Sequence, residues 1–140
     1  MADWSCGQVK RGARTWSAAA AAWALVIVVF GVVPTQQIVS VAALDHEIAS
    51  TLAGHFAEYF VLAVLIAAAR GRRPGRIRGA AVALTIAVGL GAVIEVVQAF
   101  LPYRDCQAID VLVNAAGAAC GVASFSAVSA VWGRRRSRRP

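Results

Sequence analysis

Apolar residues along this chain fall into four long blocks, separated by short segments that are polar or basic. The blocks cover about residues 17–33, 48–69, 80–101 and 109–132. A helix of about 20 residues crosses a hydrocarbon core of about 30 Å. None of the blocks shows the alternation of apolar and polar residues that is typical of a membrane β-strand. The pattern therefore predicts an all-α membrane protein, a bundle of four transmembrane helices.

The composition agrees with a single membrane domain between two basic ends. Hydrophobic residues make up 59% of the chain, and the mean hydropathy is +0.66. A soluble protein of this composition would expose large apolar patches, so lipid is the expected solvent for most of the surface. We therefore predict a basic N-terminus over residues 1–16, a membrane domain over 17–132 and a basic tail over 133–140.

The basic residues predict the orientation of the helices. Thirteen of the 14 Lys and Arg residues lie before the first block, between the second and the third, or after the fourth, whereas Arg104 lies alone between the third and the fourth. With four helices, the three basic segments fall on one side of the membrane, and segments rich in basic residues stay in the cytoplasm. Both termini are therefore predicted to be cytoplasmic.

The net charge of +7 does not indicate nucleic-acid binding. The arginines cluster in short runs between apolar blocks, and they do not follow one amphipathic face with interleaved aromatic residues. Such runs are typical of loops that are held at an anionic membrane surface. Membrane lipids are therefore the predicted partners, and nucleic acid is not.

Two segments have a second interpretation. The N-terminus and the first block are similar to the start of a cleavable signal peptide, but Pro34 and a polar run follow them. Only a loose small-residue cleavage site lies near 41–43, so a retained helix is favoured. The segment 35–51 either forms a short helix in the membrane interface or serves as a linker, and the sequence favours neither.

Three of the four blocks contain carboxylates, and each carboxylate has a second polar residue one helical turn away. Residues three or four apart share one helix face. All of them lie in the half of their block nearest the predicted outer surface, so the three polar faces are expected to meet at one depth. These residues are His55, Glu58 and Tyr59 in the second block, Glu95 and Gln98 in the third, and Asp110 and Asn114 in the fourth.

The insertion cost of the carboxylates favours a functional pocket. A charged side chain at the centre of a bilayer costs about 2.5–3.5 kcal/mol, and less near the interface. Polar contacts between membrane helices stabilise the folded protein by only about 0.6 kcal/mol each. The two amides alone are best explained as contacts that hold helices together, whereas three carboxylates together favour a pocket. Arg104 and His55 are expected to supply positive charge to it.

Small and aromatic residues within the blocks predict packing and anchoring rather than chemistry. Two glycines form a small-xxx-small pair in the fourth block, and two others allow close helix approach in the third. Three tryptophans are expected to anchor the helices at the interface or to face lipid. The glycines are Gly117, Gly121, Gly89 and Gly91, and the tryptophans are Trp16, Trp23 and Trp132.

The cysteines and histidines predict neither a disulfide nor a metal site. Cys6, Cys106 and Cys120 differ in predicted compartment or depth. No spacing typical of a zinc site occurs in the sequence. No cofactor is predicted.

Three of the polar motifs together resemble the VanZ-like family of bacterial integral membrane proteins. Each motif alone is weakly specific, but three in this order, each on its own helix, are more specific. The resemblance extends from about Asp45 to Gly121, so the first block and the arginine tails are expected to be peculiar to this chain. The motifs are His55-Phe56-Ala57-Glu58-Tyr59, then Glu95-Val96-Val97-Gln98 with Leu101-Pro102-Tyr103-Arg104, then Asp110-Val111-Leu112-Val113-Asn114 with Gly117 and Gly121.

The resemblance implies a multi-pass protein of the bacterial plasma membrane. The founding member of the family is associated with low-level resistance to the glycopeptide antibiotic teicoplanin, so the resemblance implies a role in the cell envelope and in antibiotic resistance. The family's signature positions in this chain are His55, Glu58, Tyr59, Glu95, Gln98, Arg104, Asp110 and Asn114.

Two classes of function stay open. The first is a non-enzymatic envelope protein whose outer pocket binds a lipid-linked cell-wall precursor or a glycopeptide, or positions a partner. The second is a small membrane enzyme that acts on an envelope lipid, with Glu95 or Asp110 as general base and with His55 or Arg104 stabilising an anionic group. No serine or cysteine nucleophile lies in the motifs, which favours the first class. A transporter is less favoured, because four helices need an oligomer to form a path.

Overall fold

Four long α-helices make up the described part of the chain. The structure is a computed structural model that describes residues 4–33, 44–71, 76–103 and 108–137. No strand occurs within these four ranges. In chain order the helices are α1 (Trp4–Val32), α2 (Leu44–Arg70), α3 (Arg76–Gln98) and α4 (Ala108–Ser137).

Each helix contains a segment that is long and apolar enough to cross a membrane. These segments are Arg11–Val32, Thr51–Arg70, Ile77–Gln98 and Ala108–Arg135. A helix of 20 residues is about 30 Å long, so each of the four segments is long enough to cross the hydrocarbon core. The prediction of an all-α protein with four membrane helices is confirmed. The cytoplasmic placement of both termini stays a prediction.

Large apolar side chains cover the outer surface of the bundle. Leu25 is 63% exposed, Val93 is 61% exposed and Leu112 is 65% exposed, and these three lie on three different helices. In water such a surface would drive aggregation, whereas in lipid it has no cost. The bundle therefore keeps apolar residues both inside and outside, as expected of a membrane protein.

The helix pairs differ in how closely they pack. The most extensive contact joins α2 and α4, and α1 packs against α2 and α3 but, within the described residues, not against α4. Gly117 and Gly121 of α4 lie directly against the backbone carbonyls of Phe56 and Phe60 of α2, where a Cβ atom has no room. The small-xxx-small pair thus allows α2 and α4 to approach closely.

The ends of the helices differ from the ends of the apolar blocks. Helix α3 stops at Gln98, three residues before the predicted end at Leu101. There the amide of Leu101 donates to the carbonyl of Gln98 at 2.9 Å, so the chain tightens into a turn. Pro102 comes next, and a proline disfavours helical backbone in the residue before it. The apolar block therefore runs past the helix.

Helices α1 and α4 extend beyond the predicted spans on their basic sides. Helix α1 begins at Trp4, whereas the predicted span begins at 17. Helix α4 continues to Ser137, beyond the predicted end at 132. Arginine is a good helix former, so backbone bonding continues after the apolar pattern stops.

Helix α2 also starts earlier than its apolar block. Leu44 is its first residue, so the C-terminal part of the segment 35–51 belongs to α2. The N-terminal part of that segment, up to residue 43, lies outside the described residues. The choice between an interfacial helix and a linker therefore stays open for 35–43 only.

Candidate functional site

The buried polar side chains gather at one end of the bundle. We call this the motif end: α1 and α3 end there, and α2 and α4 begin there. The opposite end, where α2 ends and α3 begins, is the arginine end. Because α3 runs opposite to α2 and α4, the last turn of α3 and the first turns of the other two lie at the same level. The most buried polar residues are Asn114, Glu95, Gln98 and Asp110, which are 2%, 3%, 4% and 8% exposed.

A hydrogen bond joins α2 and α4 at the motif end. Nδ1 of His55 lies 3.1 Å from Oδ1 of Asn114. An amide oxygen only accepts, so this contact requires the imidazole to donate its Nδ1 proton. A neutral His55 then keeps Nε2 as an acceptor. Asn114 therefore fixes both the orientation and the tautomer of His55.

Gly91 of α3 makes room for the side chains that meet between α2 and α4. Tyr59 is 1% exposed, which makes it the largest fully buried side chain of the described residues. A Cβ atom at Gly91 would lie 3.1 Å from Tyr59 Cε1 and 3.1 Å from Asn114 Nδ2. Gly91 thus lets Tyr59 and Asn114 pack directly against the backbone of α3.

Two carboxylates complete this group. Glu58 is partly buried on α2, and Glu95 is buried on α3. Glu58 directly precedes Tyr59 and lies one turn after His55 in α2, and Glu95 lies one turn after Gly91, which packs against Tyr59. The structure therefore brings together residues from three helices. We call them the polar cluster: His55, Glu58, Tyr59, Glu95 and Asn114.

Asp110 lies one turn of α4 before Asn114. It is in the first turn of that helix, and it is 8% exposed. The N-terminus of a helix carries a partial positive charge, which stabilises a nearby carboxylate. The helix end therefore gives Asp110 a local source of positive charge in addition to any role beside the polar cluster.

Gln98 and Tyr103 bind the end of α1. Gln98 Nε2 donates to the carbonyl oxygen of Gly31 at 2.9 Å, and the Tyr103 hydroxyl donates to that of Val32 at 3.1 Å. Both carbonyls lie in the last turn of α1, where helix carbonyls have no amide partner within the helix. Gln98 thus holds α1 against α3. The role of Tyr103 was not predicted.

The position of Trp23 corrects the sequence interpretation. It was expected to anchor α1 or to face lipid, but it is partly buried and packs against the core. Its Nε1 donates to the backbone carbonyl of Glu58 at 3.0 Å. An indole N–H needs a hydrogen-bond acceptor where no water is present. A tryptophan in the middle of a membrane helix therefore indicates a contact with another helix. Helix α1 therefore supports the stretch of α2 that carries the polar cluster.

Most of the chain matches one known protein family. A family model described as VanZ/LLP1 matches residues 14–129. The chain belongs to the VanZ/LLP1 family. No curated protein and no solved structure gives a significant match. The VanZ-like resemblance of the motifs is thereby confirmed.

The VanZ/LLP1 match also corrects the predicted extent of the resemblance. It was expected to run from Asp45 to Gly121 and to leave out the first membrane helix. The match begins at residue 14, so it includes most of α1. This agrees with the contacts that Trp23, Gln98 and Tyr103 make between α1 and the motif-bearing helices.

Seven of the eight predicted site residues lie within the described part of the chain. Arg104, the expected counter-charge of the pocket, lies outside the described residues. Of the seven that are described, five form the polar cluster, Asp110 adjoins it and Gln98 binds α1. Within the described ranges, no three His, Cys, Asp or Glu side chains are grouped closely enough to hold a metal ion.

Proposed function

We propose that this VanZ/LLP1 protein spans the bacterial plasma membrane with both termini in the cytoplasm. The distribution of basic residues supports this orientation, since thirteen of 14 lie in segments at the arginine end or in the tails on the same side. The polar cluster at the motif end then lies just below the extracytoplasmic surface.

Thiol labelling in intact cells tests this orientation. A membrane-impermeant maleimide should label Cys106, which lies between α3 and α4, and should leave Cys6, which lies near the N-terminus, unlabelled. Each cysteine is tested in a chain whose other two cysteines are replaced by serine. Permeabilised cells provide the control, because Cys6 should then react. Labelling of Cys6 without permeabilisation would contradict the proposed orientation.

We further propose that the polar cluster binds a lipid-linked cell-wall precursor and thereby changes tolerance to glycopeptides of the teicoplanin type. The carrying observation is that carboxylates, an oriented imidazole and a buried amide from three helices meet at one level. Such groups recognise sugar hydroxyls and peptide amides, and they are stronger hydrogen-bonding partners where water is scarce. The exposed apolar surface beside the cluster suits the lipid part of such a precursor.

Charge removal within the site tests this function. Expression of the chain in a susceptible Gram-positive host should raise tolerance to lipid-bearing glycopeptides, and Glu95→Gln or Asp110→Asn should abolish the increase. Both changes preserve shape and remove charge, so the membrane level of the protein should stay the same. Glu47→Gln is the matched control, since Glu47 lies outside the motifs. Unchanged tolerance with both variants would exclude the charges of the polar cluster and of Asp110 as the working part of the protein.

A second candidate is an enzyme that acts on an envelope lipid. The contact between His55 and Asn114 favours it, because an imidazole with a fixed tautomer beside a carboxylate is suited to acid/base chemistry. Purified protein with a lipid-linked precursor separates the two candidates. An enzyme converts a molar excess of the lipid into product, whereas a binding protein retains it unchanged in a fixed ratio.

A further inference from the structure

A second polar site lies at the arginine end, on the opposite side of the bundle from the polar cluster. A cavity of about 240 Å³ opens there between the end of α2, the beginning of α3 and the last turns of α4. Its polar or side-chain-free lining consists of Arg70, Gly71, Gly79, Ser126, Ser129 and Gly133. None of these residues belongs to the family motifs recognised in the sequence.

The lining offers donors to an anion. Arg70 contributes a guanidinium, and Ser129 contributes a hydroxyl. The hydroxyl oxygen of Ser129 is buried and, within the described part of the chain, has no hydrogen-bond partner. Buried hydroxyls are normally paired, so an unpaired one in a cavity wall points to a ligand.

The charges at the helix ends around the cavity favour a negatively charged ligand. Gly79 lies in the first turn of α3, where amide groups lack partners within the helix and the helix dipole is positive. The end of α2 contributes the opposite partial charge, about half an elementary charge. Arg70 stands at that same end with a full positive charge, so the net effect favours an anion.

Glycines keep the cavity open. At Gly133 a Cβ atom would meet nothing within 4 Å, and at Gly79 it would meet only Arg70 Cβ at 3.8 Å. Gly71 has a positive φ of 71°, which suits glycine at the end of α2 and turns the chain away. The absence of these three side chains leaves space for a ligand beside Arg70.

The surroundings of the cavity indicate a lipid. Ile77 is 88% exposed and Val128 is 55% exposed, and they lie one or two residues from lining positions of α3 and α4. Arg78 and Arg135 are exposed at the same end and raise the local positive potential. We propose that the cavity binds the phosphate group of an anionic membrane lipid, with Arg70 and Ser129 as the contacting side chains and with the acyl chains along α3 and α4.

Lipid titration of the purified protein in neutral detergent tests this site. Phosphatidylglycerol should raise the unfolding temperature in a saturable way, and phosphatidylcholine should not. Arg70→Gln should weaken the apparent affinity for phosphatidylglycerol roughly tenfold or more, because a charged hydrogen bond is lost. Gly133→Leu, which fills the cavity without removing charge, should weaken it as well.

Arg11→Gln is the matched control. Arg11 is exposed on α1, on the same side of the membrane and away from the cavity, so this variant should bind phosphatidylglycerol as the unchanged protein does. Equal weakening by Arg70→Gln and Arg11→Gln would overturn the site, because general surface charge would then explain the binding. Equal affinity for phosphatidylcholine would also overturn it.

Inorganic phosphate distinguishes the source of the phosphate group. If a lipid supplies the phosphate group, inorganic phosphate in the buffer should compete only weakly with phosphatidylglycerol for binding. Inorganic phosphate alone should then raise the unfolding temperature little. If phosphate alone stabilises the protein fully, and Arg70→Gln abolishes this effect, the assignment to a lipid is wrong and the ligand is a soluble phosphate.

Discussion

Replacing Gly117 by alanine should lower the unfolding temperature far more than the same change elsewhere in the bundle. The added methyl group would collide with the backbone carbonyl of Phe56, which no side-chain rotation can relieve. Helices α2 and α4, whose contact is the most extensive in the structure, must then move apart. Overpacking of this kind costs about 1–3 kcal/mol or more.

Gly89→Ala is the control for this prediction. Gly89 also lies within a helix, but a Cβ atom there would meet nothing within 4 Å, so the prediction that Gly89 allows close helix approach is wrong for the described helices. Alanine has the higher helix propensity, so this variant should be neutral or more stable by up to about 1 kcal/mol. The measurement is thermal unfolding in detergent, followed by circular dichroism. Equal unfolding temperatures of the two variants would show that α2 and α4 do not depend on close contact at Gly117.

Gly117→Ala should also affect the polar cluster. Phe56 directly follows His55 in α2, and Gly117 lies one turn after Asn114 in α4. Separation of the two helices would therefore lengthen the contact between His55 and Asn114. Gly117→Ala should therefore lower both stability and function. Glu95→Gln and Asp110→Asn should impair function and leave the unfolding temperature nearly unchanged.

Much of the fold could be predicted because the signals are strong. Apolar blocks of about 20 residues allow few structures in lipid, since backbone groups there must be bonded internally. The helical spacing of His55, Glu58 and Tyr59, and of the pairs in α3 and α4, placed each set on one face. The antiparallel order of the helices then placed those faces at one end.

The remaining features depend on backbone groups and on pairing between distant residues. The carbonyls of Gly31, Val32 and Glu58 accept the hydrogen bonds that hold α1 against the other helices. A pattern of side chains does not indicate which backbone carbonyls accept such bonds. Helix α3 ends at Gln98, before its apolar block does, because Phe100 and Leu101 are apolar although Pro102 disfavours helical backbone in the residue before it. The cavity at the arginine end arises from glycines and an arginine of three helices that only the fold brings together.

Replacement of Gln98 by leucine should produce the second large loss of stability. The change removes the donor to the carbonyl of Gly31 and keeps a similar side-chain volume. Gln98 is 4% exposed, so water cannot take its place, and the carbonyl would stay unpaired at the end of α1. An unpaired buried polar group costs about 1–3 kcal/mol. Thermal unfolding in detergent should show this loss.

Tyr103→Phe supplies the comparison that isolates burial as the cause. It removes the other donor to the end of α1, but Tyr103 is 40% exposed, so water or lipid headgroups can bind the carbonyl of Val32 instead. The loss should therefore be well below that of Gln98→Leu. Gln98→Leu protein that is kept below its unfolding temperature should still bind the lipid-linked precursor, since Gln98 holds helices and lies outside the polar cluster. Loss of binding by the folded variant would instead place Gln98 among the ligand contacts.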